Sequence, residues 1–270
     1  MPDQPTYCVI GHPIAHSLSP LMHNAALKAL GLPGSYKALN LQQEELADFF
    51  ASMRKGAIQG CNITLPHKVM AMQYVDEVTP QARLAGAINT VFWKDGRLVG
   101  ENTDVIGFAA AMQGRTFQHA LILGAGGVSR AAIVALRNMN VAQITISNRT
   151  WTKAKDMAEE FGIEAVPWEE RHDTDCDLAV NATSLGMTGG QEAMSPVSFG
   201  FFAGRSGFAY DIIYTPAKTR FLQQAESAGW GTDNGLSMFV EQGRASFRLW
   251  TGCTMPADTA YACLAEALGR

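Results

Sequence analysis

HALILGAGGVSR (His119–Arg130) joins a short apolar run to a cluster of glycines. An apolar run of this length predicts a buried strand of a parallel sheet, and the apolar spacing that follows predicts a helix. Glycines at a strand end allow a tight turn and a close approach of the backbone to a ligand. The next helix offers its free N–H groups to an anion. Together these features predict a Rossmann-type unit whose cofactor contacts are Gly124, Ala125, Gly126, Gly127 and Val128.

The next predicted strand indicates which dinucleotide binds. Gln143–Ser147 is rich in β-branched residues and ends at Asn148-Arg149-Thr150. NAD-binding units carry an acidic residue near this point for the ribose 2′-hydroxyl, but residues 124–155 contain none. Arg149 and Lys153 instead offer positive charge to a 2′-phosphate, although a solvated arginine at a strand end would also explain Arg149. This chemistry favours NADP.

The composition bounds the class of protein. The chain has 270 residues, 47% of them hydrophobic, which allows one large or two medium-sized domains with a full core. A net charge of −4 without a basic run argues against a nucleic-acid surface. Five scattered cysteines without a CxxC motif predict reduced thiols. None of the apolar runs has the pattern of a signal peptide or the length of a membrane span. We therefore expect a cytoplasmic protein that binds neither nucleic acid nor membrane.

Polar residues at predicted loop and helix starts are the first candidate site residues. Ser17 and Ser19 lie two positions apart, so an extended chain would present both hydroxyls to one side, but Ser19 could equally cap the helix that Pro20 begins. Lys68 stands at a predicted helix start, where the dipole does not favour it. It is either a general acid–base group or an ordinary exposed lysine. Asp104 is either a site carboxylate or the N-cap of the following helix.

The C-terminal half adds candidates at strand ends and on a long helix. Thr183 follows a predicted buried strand, at the edge where parallel sheets form a ligand crevice, although turn chemistry would also explain it. Met238 and Gln242 are four residues apart and share one face of a predicted helix. The alternatives are a core position for Met238 and a surface position for Gln242.

The chain resembles the shikimate dehydrogenase family along nearly its whole length. Each motif is weak alone, but their number and order are specific. The motifs that carry the resemblance are Gly11-His12-Pro13, His16-Ser17-Leu18-Ser19-Pro20, Asn62-Ile63-Thr64-Leu65-Pro66-His67-Lys68, Gly86-Ala87-Ile88-Asn89-Thr90, Asn102-Thr103-Asp104, Gly124-Ala125-Gly126-Gly127, Asn148-Arg149-Thr150, Asn181-Ala182-Thr183-Ser184, Asp211 with Tyr214, and Gly235 with Met238, Gln242, Trp250 and Gly252.

The resemblance implies a two-domain α/β fold. A discontinuous substrate domain would comprise residues 1–103 and 237–270, and an inserted doubly wound NADP domain would comprise residues 104–236. The implied catalytic pair is Lys68 and Asp104. The implied substrate contacts are Ser17, Ser19, Thr64, Lys68, Asn89, Asp104, Tyr214 and Gln242. The implied cofactor contacts beyond the glycine turn are Asn148, Arg149, Thr150, Lys153, Thr183, Ile212, Gly235 and Met238.

The resemblance also implies a reaction, the reversible NADP-dependent reduction of 3-dehydroshikimate to shikimate in aromatic amino acid biosynthesis. Lys153 stands where the family often has Arg, and Ile212 where Met is common. Relatives that also oxidise quinate tend to carry Ser in place of Thr64. The alternatives are a quinate or aminoshikimate dehydrogenase of the same family, and a non-catalytic NADP sensor. We expect no metal, and either a monomer or a homodimer.

Overall fold

The computed structural model of the protein describes residues 5–269 and divides them into two compact units. Unit 1 holds the described residues up to Gly107 and from Val240 onward, and unit 2 is Phe108–Phe239. The strands in chain order are β1 (Thr6–Gly11), β2 (Ser35–Asn40), β3 (Gly60–Ile63), β4 (Glu77–Val78), β5 (Thr90–Lys94), β6 (Arg97–Glu101), β7 (His119–Leu123), β8 (Gln143–Ser147), β9 (Glu164–Val166), β10 (Leu178–Asn181), β11 (Phe208–Asp211) and β12 (Gly231–Asn234).

The helices belong to both units, and two of them contain the points where the units divide. In chain order they are α1 (Ser19–Ala29), α2 (Leu46–Arg54), α3 (Pro80–Ala85), α4 (Thr103–Ala111), α5 (Gly127–Asn138), α6 (Trp151–Phe161), α7 (Phe199–Phe202), α8 (Arg220–Ser227), α9 (Leu236–Thr251) and α10 (Ala257–Ala267). Both division points lie inside helices, α4 and α9. The sequence-based boundaries at 103/104 and 236/237 lie in the same helices, and the functional division of the chain stays a prediction.

Unit 1 contains a mixed sheet in the order β2-β1-β3-β5-β6-β4. β1 pairs in parallel with β2 and β3, and β5 pairs antiparallel with both β3 and β6. A hairpin joins β5 to β6, with Asp95 and Gly96 at positive φ in the two-residue turn. Apolar residues of α2, including Leu46, Phe50 and Met53, pack on the sheet and form its core. Polar side chains that follow β3 and precede β5 are thereby held beside each other.

Unit 2 contains a parallel sheet in the order β12-β11-β10-β7-β8-β9. This is the strand order of the doubly wound dinucleotide-binding fold, with β7 as its first strand. The order reverses between β7 and β10, and ligands of such sheets bind outside the carboxyl ends of the strands at this point. The two-domain α/β fold predicted from the sequence is confirmed. β12 was not predicted, because its sequence Gly231-Thr232-Asp233-Asn234 is polar and contains turn-forming residues.

Candidate active site

Lys68 and Asp104 form a buried ion pair in unit 1. The Nζ atom of Lys68 donates to Oδ2 of Asp104 at 2.5 Å, and the two residues are only 7% and 6% exposed. Asn89 donates from Nδ2 to the other carboxylate oxygen of Asp104 at 2.8 Å. A buried ion pair of this kind is held together only when hydrogen bonds also satisfy its remaining polar atoms. Because Lys68 is buried, the alternative that it is an ordinary exposed lysine is wrong.

Local structure places these three side chains. Lys68 lies in the turn between β3 and a short 3₁₀ helix at Met70–Tyr74, and its backbone oxygen accepts from Ile88 N at 2.9 Å. Asn89 immediately precedes β5. Asp104 is the second residue of α4, so it lies inside the helix, and its carboxylate binds Lys68 and Asn89. The N-cap interpretation of Asp104 is wrong for this reason.

A cluster of buried polar groups that sequence reasoning did not select lies behind Asn89. Thr90, Thr103 and Ser246 have no exposed surface, and their hydroxyl oxygens are 2.7–3.1 Å apart. Asn62 donates to Thr90 Oγ1 and Ser246 Oγ at 3.0 and 2.9 Å. Ser246 follows Gln242 by one helical turn, and this spacing is the one sequence signal that points to it.

The remaining predicted substrate contacts lie in both units. In unit 1, Ser17 Oγ accepts from the backbone N–H of Ser19 at 3.3 Å. Ser19 is itself the first residue of α1, whose N-cap is Leu18, so the alternative in which Ser19 caps this helix is wrong. Thr64 follows β3 and is half-buried. A Cβ atom added to Gly11 would lie only 2.4 Å from the methyl group of Thr64, so only glycine fits at position 11.

Gln242 and Tyr214 belong to different units. Gln242 lies on α9 in unit 1, and its backbone oxygen accepts from Ser246 Oγ at 3.0 Å. Tyr214 follows β11 in unit 2 and packs against Phe239, with their ring centroids 5.1 Å apart. Burial raises the pKa of the Tyr214 hydroxyl above its ordinary value of 10.0.

The turn between β7 and α5 in unit 2 fits a dinucleotide pyrophosphate. Gly124 has a φ of 116°, and a Cβ there would lie 2.7 Å from the backbone oxygen of Ala182. Gly126, in contrast, faces open space, since no atom lies within 4 Å of its Cβ position. Ser129 takes the third glycine position, donates to Gly124 O at 2.8 Å and accepts from Gly126 N at 3.3 Å. The N–H groups of Gly127 and Val128, at the start of α5, are oriented to bind an anion.

The tip of β8 supplies the predicted contacts to the adenosine end. Asn148 Oδ1 accepts from Ala125 N at 3.2 Å, and its Nδ2 donates to Thr150 O at 2.9 Å, which ties this tip to the glycine turn. Arg149 and Lys153 are exposed, and neither has an ion-pair partner within residues 5–269. Two unpaired cations beside this turn suit a 2′-phosphate.

The other predicted cofactor contacts follow β10 and β11 or begin α9. Thr183 donates to Asn181 Oδ1 at 2.7 Å and is half-buried. A Cβ on Gly235 would lie 2.0 Å from the backbone oxygen of Ile212, so the backbones of these two predicted contacts touch. Met238 is 6% exposed. The residues present in unit 2 therefore fit a dinucleotide.

A cavity of about 970 Å³ in unit 2 is lined by residues such as His119, Gln143 and Glu164, which begin strands β7, β8 and β9. It is at the edge of the sheet away from the glycine turn and contains no predicted site residue. Among residues 5–269, no cluster of His, Cys, Asp or Glu could hold a metal ion, and no helix has the length and apolar character needed to span a membrane.

Comparison with known families gives matches in three parts of the chain. Residues 9–91 match the shikimate dehydrogenase substrate binding domain, residues 109–186 match shikimate / quinate 5-dehydrogenase, and residues 235–262 match the shikimate 5′-dehydrogenase C-terminal domain. The shikimate dehydrogenase (NADP(+)) of Oleidesulfovibrio alaskensis is 45% identical, over 97% of this chain and 95% of its own length.

Solved structures give the same result. Shikimate 5-dehydrogenase from Thermus thermophilus, in complex with NADP(H) and shikimate, is 41% identical with a TM-score of 0.88, over 98% of this chain and 100% of that one. The ligand-free 5-ketofructose reductase of a Gluconobacter species is 30% identical with a TM-score of 0.86, over 99% and 100%. From these similarities, and from the fold and the polar residues described above, this chain belongs to the shikimate dehydrogenase family.

Proposed function

We propose that this chain is an NADP-dependent shikimate dehydrogenase, an oxidoreductase that reversibly reduces 3-dehydroshikimate to shikimate in the biosynthesis of chorismate and the aromatic amino acids. The observation that carries the proposal is the buried Lys68–Asp104 pair with Asn89 bonded to it. A binding protein or sensor has no need of a buried proton-transfer pair. The family's alternative substrates, quinate and aminoshikimate, have no observation in their favour.

Proton transfer is the part of the reaction that these residues perform. NADPH, when bound, supplies the hydride that the carbonyl carbon of the substrate accepts. Lys68 Nζ donates a proton to the carbonyl oxygen as it becomes an alkoxide, and it takes that proton back in the direction of shikimate oxidation. Asp104 holds Nζ by the 2.5 Å hydrogen bond, so the ammonium group is oriented before the substrate arrives.

Asn89 and the hydroxyl residues would hold the substrate. One N–H of the Asn89 amide binds Asp104, and the amide has a second N–H for a substrate oxygen. Ser17, Ser19, Thr64, Tyr214 and Gln242 add hydroxyl and amide groups, which suit a substrate that carries several hydroxyls and a carboxylate. A site built from such groups rejects analogues that lack a hydroxyl, because its own polar atoms are then left without partners.

The cofactor would be held in unit 2. The start of α5, with Gly127 and Val128, would bind the pyrophosphate through backbone N–H groups, and Gly124, Ala125 and Gly126 would form the turn that it approaches. Arg149 and Lys153 would bind the 2′-phosphate, and Asn148 and Thr150 would line the adenosine. The residues left to contact the nicotinamide half are Thr183, Ile212, Gly235 and Met238.

A spectrophotometric assay tests the proposal. Purified protein with shikimate and NADP should produce the absorbance band of NADPH, and replacement of NADP by NAD should lower kcat/KM. A folded, pure protein that gives no such signal with shikimate would contradict the proposed activity.

A cytoplasmic location is also proposed, since all five cysteines are free thiols and three are buried. Whether the protein is a monomer or a homodimer stays a prediction that light scattering can test.

A further inference from the structure

Three buried hydroxyl groups meet in unit 1 although they come from separate elements. Thr90 begins β5, Thr103 begins α4, and Ser246 lies in the middle of α9. The Oγ1 of Thr90 is 2.7 Å from Ser246 Oγ and 3.1 Å from Thr103 Oγ1, and Ser246 Oγ is 3.1 Å from Thr103 Oγ1. We call Thr90, Thr103 and Ser246 the hydroxyl triad. All three have no exposed surface, so no substrate atom contacts them.

The two threonines of the triad bind the oxygen of the Asn89 amide, and Ser246 contacts both threonines. Both threonine hydroxyls lie 3.1 Å from Asn89 Oδ1, and the backbone N–H of Thr103 donates to the same oxygen at 2.7 Å. Because a backbone N–H can only donate, the acceptor must be the amide oxygen, and the Nδ2 group must point the other way. It points at Asp104 Oδ1, 2.8 Å distant. The amide is thereby fixed in the orientation that lets it donate to the carboxylate.

A second amide joins the triad to the neighbouring strand. Asn62 on β3 accepts from the Tyr36 hydroxyl at 2.7 Å and donates to Thr90 and Ser246. Ser246 also donates to the backbone oxygen of Gln242 at 3.0 Å, one turn earlier on α9. Buried polar groups weaken a core unless each has a partner, and here the partners converge behind one side chain. Such an arrangement restrains side chains to one geometry.

We propose that Thr90, Thr103 and Ser246 are positioning residues, which fix the Asn89 amide and through it hold the Lys68–Asp104 pair in line for proton transfer. This inference rests on the proposed function. Loss of the Thr90 or Thr103 hydroxyl removes one of the three hydrogen bonds to Asn89 Oδ1, and loss of the Ser246 hydroxyl removes a neighbour of both threonines, so the amide is held less firmly although the Thr103 N–H still binds it. Asp104 then turns, and Nζ of Lys68 moves from the oxygen that it protonates. Misplacement of a reacting group by about 1 Å can lower the rate by roughly a hundredfold.

Kinetics of hydroxyl-deletion variants of the full chain test the proposal. Thr90→Val has nearly the same shape but no hydroxyl, Thr90→Ser keeps the hydroxyl, and Ser246→Ala removes it from a different element. The control is Thr251→Val, because Thr251 likewise donates to a backbone oxygen one turn back, Phe247 O at 2.8 Å, but does not touch the triad. Each protein is checked for folding by thermal unfolding, and kcat, both KM values and the calorimetric shikimate Kd are measured.

We expect Thr90→Val and Ser246→Ala to lower kcat by about fivefold to fiftyfold, with the KM for NADP unchanged and the shikimate Kd changed less than about threefold. Thr90→Ser and Thr251→Val should stay within about twofold of the original kcat. The proposal is overturned if folded Thr90→Val and Ser246→Ala keep the original kcat, or if Thr90→Ser loses as much as Thr90→Val. If Thr90→Val does not fold, Ser246→Ala decides alone. An unaltered protein without shikimate activity would instead refute the proposed function.

Discussion

At the scale of single residues, the proposed chemistry depends on Lys68 and Asp104. Lys68→Ala should lower kcat by roughly 10²–10⁴-fold, because general acid–base catalysis is lost. Binding of shikimate should change much less, since the hydroxyl and amide groups remain. Asp104→Asn should also lower kcat, because it removes the charge that holds Nζ of Lys68 at 2.5 Å.

The two changes combined should cost clearly less than the product of the separate losses, since residues that act as a unit are not additive. Steady-state kinetics with calorimetric shikimate binding measures both quantities. A shikimate affinity that falls in step with kcat would assign Lys68 to binding alone, and full additivity would mean that Lys68 and Asp104 act independently.

Arg149 is the residue on which the preference for NADP depends. Arg149→Ala should raise the KM for NADP by roughly tenfold to a hundredfold, because hydrogen bonds to a charged group contribute about 1.5–3 kcal/mol. The KM for NAD and for shikimate should change little. Lys155→Ala is the matched control, because Lys155 is an exposed cation of α6 that pairs with Glu159. An equal loss for NAD and NADP would contradict the assignment of Arg149 to the 2′-phosphate.

At the scale of elements, two glycines of the turn between β7 and α5 have different functions. Gly124→Ala should destabilise the fold by more than about 1 kcal/mol, because a side chain is strained at positive φ and its Cβ would meet the Ala182 backbone at 2.7 Å. Gly126→Ala should lower the free energy of unfolding by less than about 1 kcal/mol, since its Cβ faces open space and only the preference for glycine over alanine at the N-cap of α5 is lost.

The same Gly126→Ala variant should nevertheless weaken NADP binding, because the added methyl occupies the space where the pyrophosphate approaches the backbone. Urea unfolding and fluorescence titration with NADPH separate the two effects. A Gly126→Ala protein that binds NADPH as tightly as the original would place the pyrophosphate elsewhere.

Helix α1 carries a buried histidine into the aromatic packing of unit 1. His23 is 1% exposed and stacks on Tyr36 at 4.3 Å, and neither ring nitrogen has a hydrogen-bond partner among residues 5–269. Burial lowers the pKa of His23 to about 3, from an ordinary value of 6.5. Between these two values the unfolded chain binds a proton that the folded chain does not.

The stability that this neutral histidine contributes is therefore present above pH 6.5 and is lost as the pH falls toward about 3, by up to about 1.4 kcal/mol per pH unit. His23→Phe keeps a stacked ring without a titrating nitrogen, so its free energy of unfolding should fall less steeply on acidification. Denaturant unfolding at a series of pH values measures the two slopes. Equal slopes in both proteins would show that His23 remains able to bind a proton in the folded state.

At the scale of the whole molecule, the fold does not select the substrate. A 5-ketofructose reductase that is 30% identical shares this fold with a TM-score of 0.86. The selection must therefore come from side chains, and we expect kcat/KM with NADP to be at least about tenfold higher for shikimate than for quinate. With NADPH, we expect kcat/KM to be at least about tenfold higher for 3-dehydroshikimate than for 5-ketofructose. Kinetics in each direction with one protein preparation tests both rankings. A higher kcat/KM with quinate would favour the quinate dehydrogenase alternative.

The sequence predicted elements that depend on neighbouring residues, and it missed a strand that depends on pairing with another strand. The strand that leads into the glycine turn, helix α5 and strand β8 were predicted because each depends on residues close together in the chain. Strand β12 was missed, since its four polar residues become a strand only by pairing with β11. The alternatives in which Ser19 and Asp104 cap helices were wrong, because α1 begins at Ser19 and α4 begins one residue before Asp104.

The sequence by itself determined the two-domain α/β fold, the family and the choice of NADP. These depend on local spacing, on motifs in a fixed order and on the absence of an acidic residue in residues 124–155, all of which can be read without coordinates. It also singled out Lys68, Asn89 and Asp104 through the resemblance, but could not say which atoms touch.

Only the tertiary structure decided that Asn89 bridges Asp104 to a buried hydroxyl cluster, and that Ser246 belongs to it. Asn62 and Ser246 are 184 positions apart and meet at 2.9 Å. Such a contact is set by how β3, β5, α4 and α9 pack, since the apolar core that brings these elements together constrains volumes and not the identity of any one polar partner. The physical reason is that hydrogen bonds act over about 3 Å in space, whatever the distance along the chain.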